Sequence, residues 1–316
     1  MKRFLAAAVA VAGLTIAAHA APDELTIMAP AGPGGGWDQT ARSMQQALQE
    51  GGLVPNVQVV NVPGAGGTVG IAQFVNDHKG SAKNLIVGGY VMVGAIIANK
   101  SPVTLADVTP IARLTGEYEA IVVPASSDIK TIGELVERLK ADPGAVSWAG
   151  GSAGGVDHIV VGQIAQAAGV DPTKINYIPY SGGGEALAAI LGGQVTAGVS
   201  GTGEWQGQIQ SGDLRLLAVT SGERLEGFDA PTLKESGLDV ETQNWRMVAA
   251  PPGLSDADKA VLVDAVKAMV ESDGWKSILA QKGWANTFLA GADFEAYLSG
   301  EIESTTAILK SLGIAQ

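Results

Sequence analysis

The sequence predicts an α/β protein of two domains, each a mainly parallel sheet flanked by helices, with a ligand cleft between them. Two observations carry this. Short apolar runs alternate with helix-patterned runs along most of the chain, which argues for parallel sheets covered by helices. Three of those apolar runs also end in a glycine-rich loop from which a helix pattern starts at once. They read LTIMAP–AGPGGG–WDQTARSMQQALQ, AVSWAG–GSAGG–VDHIVVGQIAQAAG and KINYIPY–SGGG–EALAAILGG. Such loops lie at the carboxyl ends of strands, where ligands bind in open α/β sheets. Glycine lets a ligand approach the backbone, and a helix start carries partial positive charge. The loops therefore read as seats for a small anion.

The elements follow in order. LTIMAP leads to a helix with Ala41, Met44 and Leu48 on one face. VQVVNVPG leads through GAGG to TVGIAQFVN, and NLIVGGY to VMVGAIIAN. EAIVVP, at 119–124, reads as a strand crossing out of this first unit. A second unit runs through TIGELVERLK, AVSWAG, a helix from Val156 to Ala168, INYIPY, a helix from Glu185 to Leu191, and LLAVT. A strand from Met247 to Ala250 and two long helices follow, the first starting at Ser255. The last helix carries Phe294, Tyr297, Leu298, Ile302, Thr305 and Leu309 on one stripe, which suits packing onto a sheet. The expected division is residues 21–122 with 226–316 in one domain and 123–225 in the other. Two crossings then bound the cleft.

Residues 1–20 read as a secretory signal: Lys2 and Arg3, an apolar stretch from Phe4 to Ala18, then Ala18-His19-Ala20 as the cleavage site. The mature chain would begin at Ala21. The full chain has a net charge of −12, and loss of Lys2 and Arg3 takes it to −14. That charge argues against nucleic-acid binding and against an anionic membrane surface. There is no cysteine, which excludes disulfides, thiolate nucleophiles and Cys-ligated zinc.

Gly150-Gly151-Ser152-Ala153-Gly154 matches G-x-S-x-G in a strand–turn–helix context. A hydrolase would need a histidine well downstream. Here only His158 follows, in the first turn of the same helix, poorly placed as a base for Ser152. An exported serine hydrolase using Ser152 stays the competing class, separable by ester turnover and phosphonate labelling. Cofactor chemistry has no support. Gly32-Pro33-Gly34-Gly35-Gly36-Trp37 lacks the last glycine of a dinucleotide loop, and no phosphate-binding G-x-x-x-x-G-K-[ST] run exists. Asp157-His158 stands without a second cluster, so no metal site is expected.

Asp38, Asp157 and Glu185 fall at helix starts, where carboxylates satisfy amides and complement the dipole. Trp37 fits core and cleft wall equally. Ser181 beside Tyr180, and Ser200 at the end of QVTAGVS, could offer hydroxyls to a ligand. Arg246, in QNWRMVAAP, could clamp a carboxylate in bidentate fashion. Glu117 and Glu119 share one strand face and are expected to be solvated.

PAGPGGGWDQTAR, VPGAGGTVG, WAGGSAGGVDH, IPYSGGGEALAAILGGQV and GDLRLLAVTSGERL occur in order over nearly the whole chain from Leu25 onward. Together they resemble the solute receptors of tripartite tricarboxylate transporters, the Bug family. The resemblance implies a two-domain periplasmic binding fold of the type II kind, no catalysis, and one small carboxylate ligand. It also implies delivery to a two-component integral membrane permease driven by an ion gradient, from a monomeric periplasmic receptor. The family's loops correspond here to Ala31, Gly34, Gly35, Gly36, Trp37 and Asp38; to Ser152, Ala153, Gly154 and His158; and to Tyr180, Ser181 and Gly182. Ser200 and Arg246 complete the expected ligand contacts. Trp37 looks like the tricarboxylate branch, and VSGTGEW departs from the commoner Asp-containing form, which disfavours an amino-acid ligand. Citrate or a similar tricarboxylate is the expected ligand, with a C4–C6 dicarboxylate or aromatic acid as alternatives.

Overall fold

The computed structural model describes residues 22–315, so the signal reading lies outside the described residues. The first unit contains β1 (Glu24–Ala29), α1 (Gly36–Glu50), β2 (Asn56–Asn61), α2 (Thr68–Asp77), β3 (Asn84–Gly89) and α3 (Tyr90–Ala98). Strand β4 (Thr109–Pro124) then leads to α4 (Ile132–Ala141), β5 (Ser147–Gly150), α5 (Val156–Ala167), β6 (Asn176–Pro179) and α6 (Gly183–Leu191). The unit closes with β7 (Ala197–Gly201), α7 (Thr202–Ser211) and β8 (Leu214–Val219). Last come β9 (Gln243–Ala250), α8 (Asp256–Glu271), α9 (Asp273–Lys282), β10 (Ala285–Ala290) and α10 (Gly291–Ser311).

The sheet order is β2-β1-β3-β9-β4-β7-β5-β6, with β10 and β8 also paired to β4. The alternating pattern produces parallel pairing where a helix joins consecutive strands: β2-β1-β3 on one side and β6-β5-β7 on the other. Around β4 every pairing is antiparallel. The sheets are therefore mixed rather than mainly parallel at their shared centre, because the strand that crosses and the strand that returns run in opposite directions.

Strand β4 belongs to both halves. Residues 109–118 pair with β9, and residues 119–122 pair with β7. The pairing thus changes partner between Tyr118 and Glu119, earlier than the expected boundary at 122. The chain between β8 and β9 stays against the second half: Leu233 N–H donates to Val219 O at 3.0 Å, well beyond residue 225. One buried hydroxyl laces the two crossings together. Thr220 Oγ1 accepts from Glu119 N–H (2.8 Å) and donates to Thr242 O (2.7 Å).

The C-terminal region holds three helices where two were expected, with β10 inserted between α9 and α10. The expected stripe of α10 is otherwise buried at Phe294, Leu298, Thr305 and Leu309. Helix α7 was not anticipated. Its Trp205 is fully buried with Ala186, Ile190 and Leu214 on the outer face of the second half's sheet.

The halves touch where α3 meets the second glycine loop. A methyl group on Gly94 would run into the Gly154 carbonyl, and one on Gly155 would press on Val91. A backbone oxygen cannot yield as a flexible side chain can. Gly94→Ala should therefore keep the helix, which alanine favours by about 1 kcal/mol over glycine, yet hold the halves apart. Small-angle scattering should report a larger radius of gyration than wild type with an unchanged circular dichroism spectrum. An unchanged radius would mean that this contact does not limit closure.

Candidate functional site

Six helices start at the interface between the halves: α1, α2 and α3 from one, α5, α6 and α7 from the other. Each has glycine as its N-cap and no side-chain cap bond among the described residues. Helices α4, α8 and α9 are instead capped by Thr131, Ser255 and Ser272 through their hydroxyls. First-turn amides have no intrahelical partner. At the interface they are left for something other than the protein's own caps.

The glycine loops keep their shape through acids in the following helix. Asp38 Oδ2 accepts from Gly34 N–H (2.8 Å), Asp157 Oδ2 from Gly151 N–H (2.5 Å), and Glu185 Oε2 from Ser181 N–H (3.1 Å). This is the structural role expected of all three. Asp38 is fully engaged, also accepting from Arg42 (3.0 Å) and Asn61 (2.9 Å). Burial opposes its ionisation, but those bonds outweigh it and hold its pKa below the usual value.

Trp37 is core: it is 8% exposed, and a methyl on Gly67 would meet its ring at 2.8 Å. Gly34 has φ +83°, whereas Gly35 has φ −69°, an ordinary value for any residue. The backbone demand in this loop thus falls on Gly34. The closest approach falls on Gly36, where a Cβ would lie 2.5 Å from Arg246 Nη2.

In the second loop, Ser152 faces the first half, with its Cβ 3.6 Å from where a Cβ on Gly66 would stand. Ala153 is exposed, and the Gly154 N–H donates to His158 Nδ1 (3.1 Å). The His158 ring stacks on Tyr177 with centroids 4.2 Å apart. Burial lowers its pKa to about 4. With Nδ1 accepting a backbone proton, His158 is built into the loop and is not oriented as a base for Ser152. In the third loop Ser181 is exposed, and Tyr180 and Gly182 are half-buried. The Ser200 hydroxyl donates to Glu204 Oε2 (3.1 Å).

Arg246 is not the isolated charge that the sequence suggested. It is 3% exposed, forms an ion pair with Glu117, and lies over the Trp284 ring at 4.7 Å. Glu117 and Glu119, expected to be solvated, are 2% and 0% exposed. They sit mid-β4, where the strand is covered by both halves. Burial first, then the neighbouring Asp157, Glu117 and Glu204, push the Glu119 pKa well above its usual value. Burial likewise raises Asp157 to about 6 and Glu204 to about 7. The sequence reading passed over Glu204, although G-T-G-E repeats the pattern of the first loop, a glycine start followed by an acid in the first turn.

Beside this group lies a cavity of about 170 Å³. Gln39 of α1, Arg246 of β9, and Lys282 and Trp284 line it from the first half, and Glu204 and Gln206 of α7 from the second. No group of three or more His, Asp or Glu side chains placed to hold a metal ion occurs among the described residues. No helix among them is long and apolar enough to cross a membrane.

Glycine-started helices facing each other across two α/β halves joined at a hinge define a solute-binding protein. The comparisons agree. Residues 40–314 match the tripartite tricarboxylate transporter family receptor, and the chain belongs to that family. It is similar to the "UPF0065 protein in gbd 5'region" of Cupriavidus necator, 30% identical over 82% of this chain and 79% of the relative. A solved R. palustris protein with adipate superposes with a TM-score of 0.83 at 22% identity, covering 92% of this chain and 98% of the other. MatC from Rhodopseudomonas palustris, with bound malate, superposes at 0.77 and 22%, covering 90% and 98%. At those identities the two structures speak for the fold. The family is one of receptors, not enzymes, which sets aside the hydrolase reading of Ser152.

The burial of the Arg246–Glu117 pair changes what a substitution there would do. Removing one partner of a buried pair strands the other charge, at about 3–5 kcal/mol. Arg246→Met should therefore destabilise the protein substantially, contrary to the small loss expected for a surface charge. Arg246→Met with Glu117→Gln should recover most of the loss. Urea denaturation of the two single variants and the double variant measures this. Additive losses would mean that the pair is not coupled.

Proposed function

We propose that this protein is a monomeric periplasmic receptor that closes on one small carboxylate. It delivers that acid to a two-component, ion-gradient-driven membrane permease of the tripartite tricarboxylate transporter type. The observation that carries the reading is the set of six glycine-capped helix starts at one interface. Free amides and aligned dipoles there attract an anion at contact range. The protein's overall negative charge is screened beyond about 8 Å at physiological salt.

In this reading the amides of Gly36, Ser152, Ala153 and Gly182 hold the first carboxylate, those of Gly34, Gly35, Gly154 and Ser181 being bonded within the loops, with Tyr180, Ser200 and His158 around them. Arg246 meets a further carboxylate through Nη1, which has no hydrogen-bond partner among the described residues. Citrate or a related tricarboxylate suits a site with anion donors in both halves. The second reading is a C4–C6 dicarboxylate, favoured by the malate and adipate held by the structural neighbours. The cavity, about 170 Å³, is small beside the roughly 300–1,000 Å³ of common ligand pockets, which favours a compact acid.

Titration calorimetry and thermal shift against citrate, tricarballylate, malate, adipate and glutamate test this. An acid at 100 times its Kd should stabilise the fold by about 2.7 kcal/mol. Citrate is expected to bind tightest. Tighter malate or adipate would select the dicarboxylate reading. A folded protein that binds none of these acids would overturn the carboxylate assignment.

A further inference from the structure

Four helices at the interface carry an acid in the first turn, and three of those acids bond back to their own loops. The fourth, Glu204, takes the Ser200 hydroxyl just before its own helix (3.1 Å) rather than a loop amide. Its carboxyl turns out of α7 toward the other half. A methyl on Gly183 would collide with Glu204 Oε2, and one on Gly36 would lie 3.4 Å from Oε1. The carboxyl therefore stands between the uncapped starts of α6 and α1, which come from opposite halves. Arg246 Nη2 lies against the same Gly36 position. The carboxyl thereby occupies space beside both helix starts.

A second observation marks the place as a ligand site. Arg246 is 97% buried and borders the cavity, yet its Nη1 has no hydrogen-bond partner among the described residues. A buried guanidinium nitrogen without an acceptor is a costly arrangement unless one arrives.

The charges facing Glu204 do not balance. They are Glu117 and Glu119 from β4, Asp157 from α5, Arg246 from β9, and Lys282 from the end of α9. Helices α1 and α6 contribute backbone glycine only. Arg246 is paired with Glu117, which leaves Glu119, Asp157 and Glu204 without a buried cation. A polycarboxylate entering this space would add further negative charge beside Asp157 and Glu204, whose ionised forms burial already disfavours.

Resting on the carboxylate reading above, we propose that Glu204 is a resident carboxyl in the anion seat and controls which acids enter. A polycarboxylate takes the seat only when Glu204 carries a proton. That proton comes from solvent onto a Glu204 oxygen as the ligand binds, and returns to solvent on release. The protonated carboxyl donates a hydrogen bond to the ligand where the ionised one would repel it. The direction agrees with the raised Glu204 pKa, which burial sets at about 7. Monocarboxylates, which need only the loop amides, escape the requirement.

The test uses the full chain and adipate, an acid fully ionised above pH 7. Wild type and Glu204→Gln are titrated at pH 6.5 and 8.5. Wild-type affinity should fall by about tenfold or more over that range, as expected for linkage to a single proton. Glu204→Gln should hold its affinity within about twofold and bind more tightly than wild type at pH 8.5. A variant-free readout accompanies it: calorimetry at pH 7.5 in two buffers of different ionisation heat should show uptake of roughly 0.5–1 proton per adipate bound. Parallel pH profiles for the two proteins, weaker binding by Glu204→Gln at both pH values, or no proton uptake would overturn the inference while the carboxylate reading stood. Absence of binding by any acid, in either protein, would remove both.

Discussion

An acidic protein with few cations to spare for an anion relies first on backbone, and backbone amides are free only where no side chain has claimed them. That constraint organises the molecule. Helices starting at the interface begin with glycine, and the distal helices α4, α8 and α9 begin with Thr131, Ser255 and Ser272, whose hydroxyls take the first-turn amides. Glycine in place of a capping side chain costs a helix a few tenths of a kcal/mol. The interface helices accept that cost at six starts. Loop shape then has to be set from elsewhere, and Asp38, Asp157 and Glu185 do so by reaching back to amides at Gly34, Gly151 and Ser181.

The hinge answers a related electrostatic demand. Helix starts pointing inward bring partial positive charge to one place. The floor between them carries Glu117, Glu119, Asp157 and Glu204, against Arg246. Asp157 and Glu204 each belong to the first turn of a helix, where their ionised forms gain from the dipole, yet burial still raises both. Thr220, bonded to both crossings, ties this charged floor to the strands that join the halves.

Much of this was legible in the sequence. Strand–glycine–helix alternation is local, so LTIMAP, NLIVGGY and AVSWAG were readable as strands that hand over to helices through glycine. What escaped was non-local. Arg246 and Glu117 are 129 positions apart, and neither residue's surroundings hint at the other. Glu117 and Glu119 alternate as a solvated strand face would, and are buried only because β4 runs through both halves. β10 is a short edge strand with a break in register between Asn286 and Leu289, so its pattern is weak. Trp37 could be placed only by the glycine that packs on it. Glu204 carried the loop signature, but its turn toward the opposite half depends on how the halves meet.

The central claim is that uncapped helix-start amides hold the ligand's carboxylate. Backbone ¹H–¹⁵N NMR during a citrate titration tests it most directly. Downfield proton shifts, the mark of new hydrogen bonds to an anion, should concentrate in residues 34–38, 152–157 and 181–185. The starts of α4, α8 and α9, already capped by hydroxyls, should stay still. Saturable binding with its largest shifts at those capped helices, or on the outer faces of the sheets, would contradict the account.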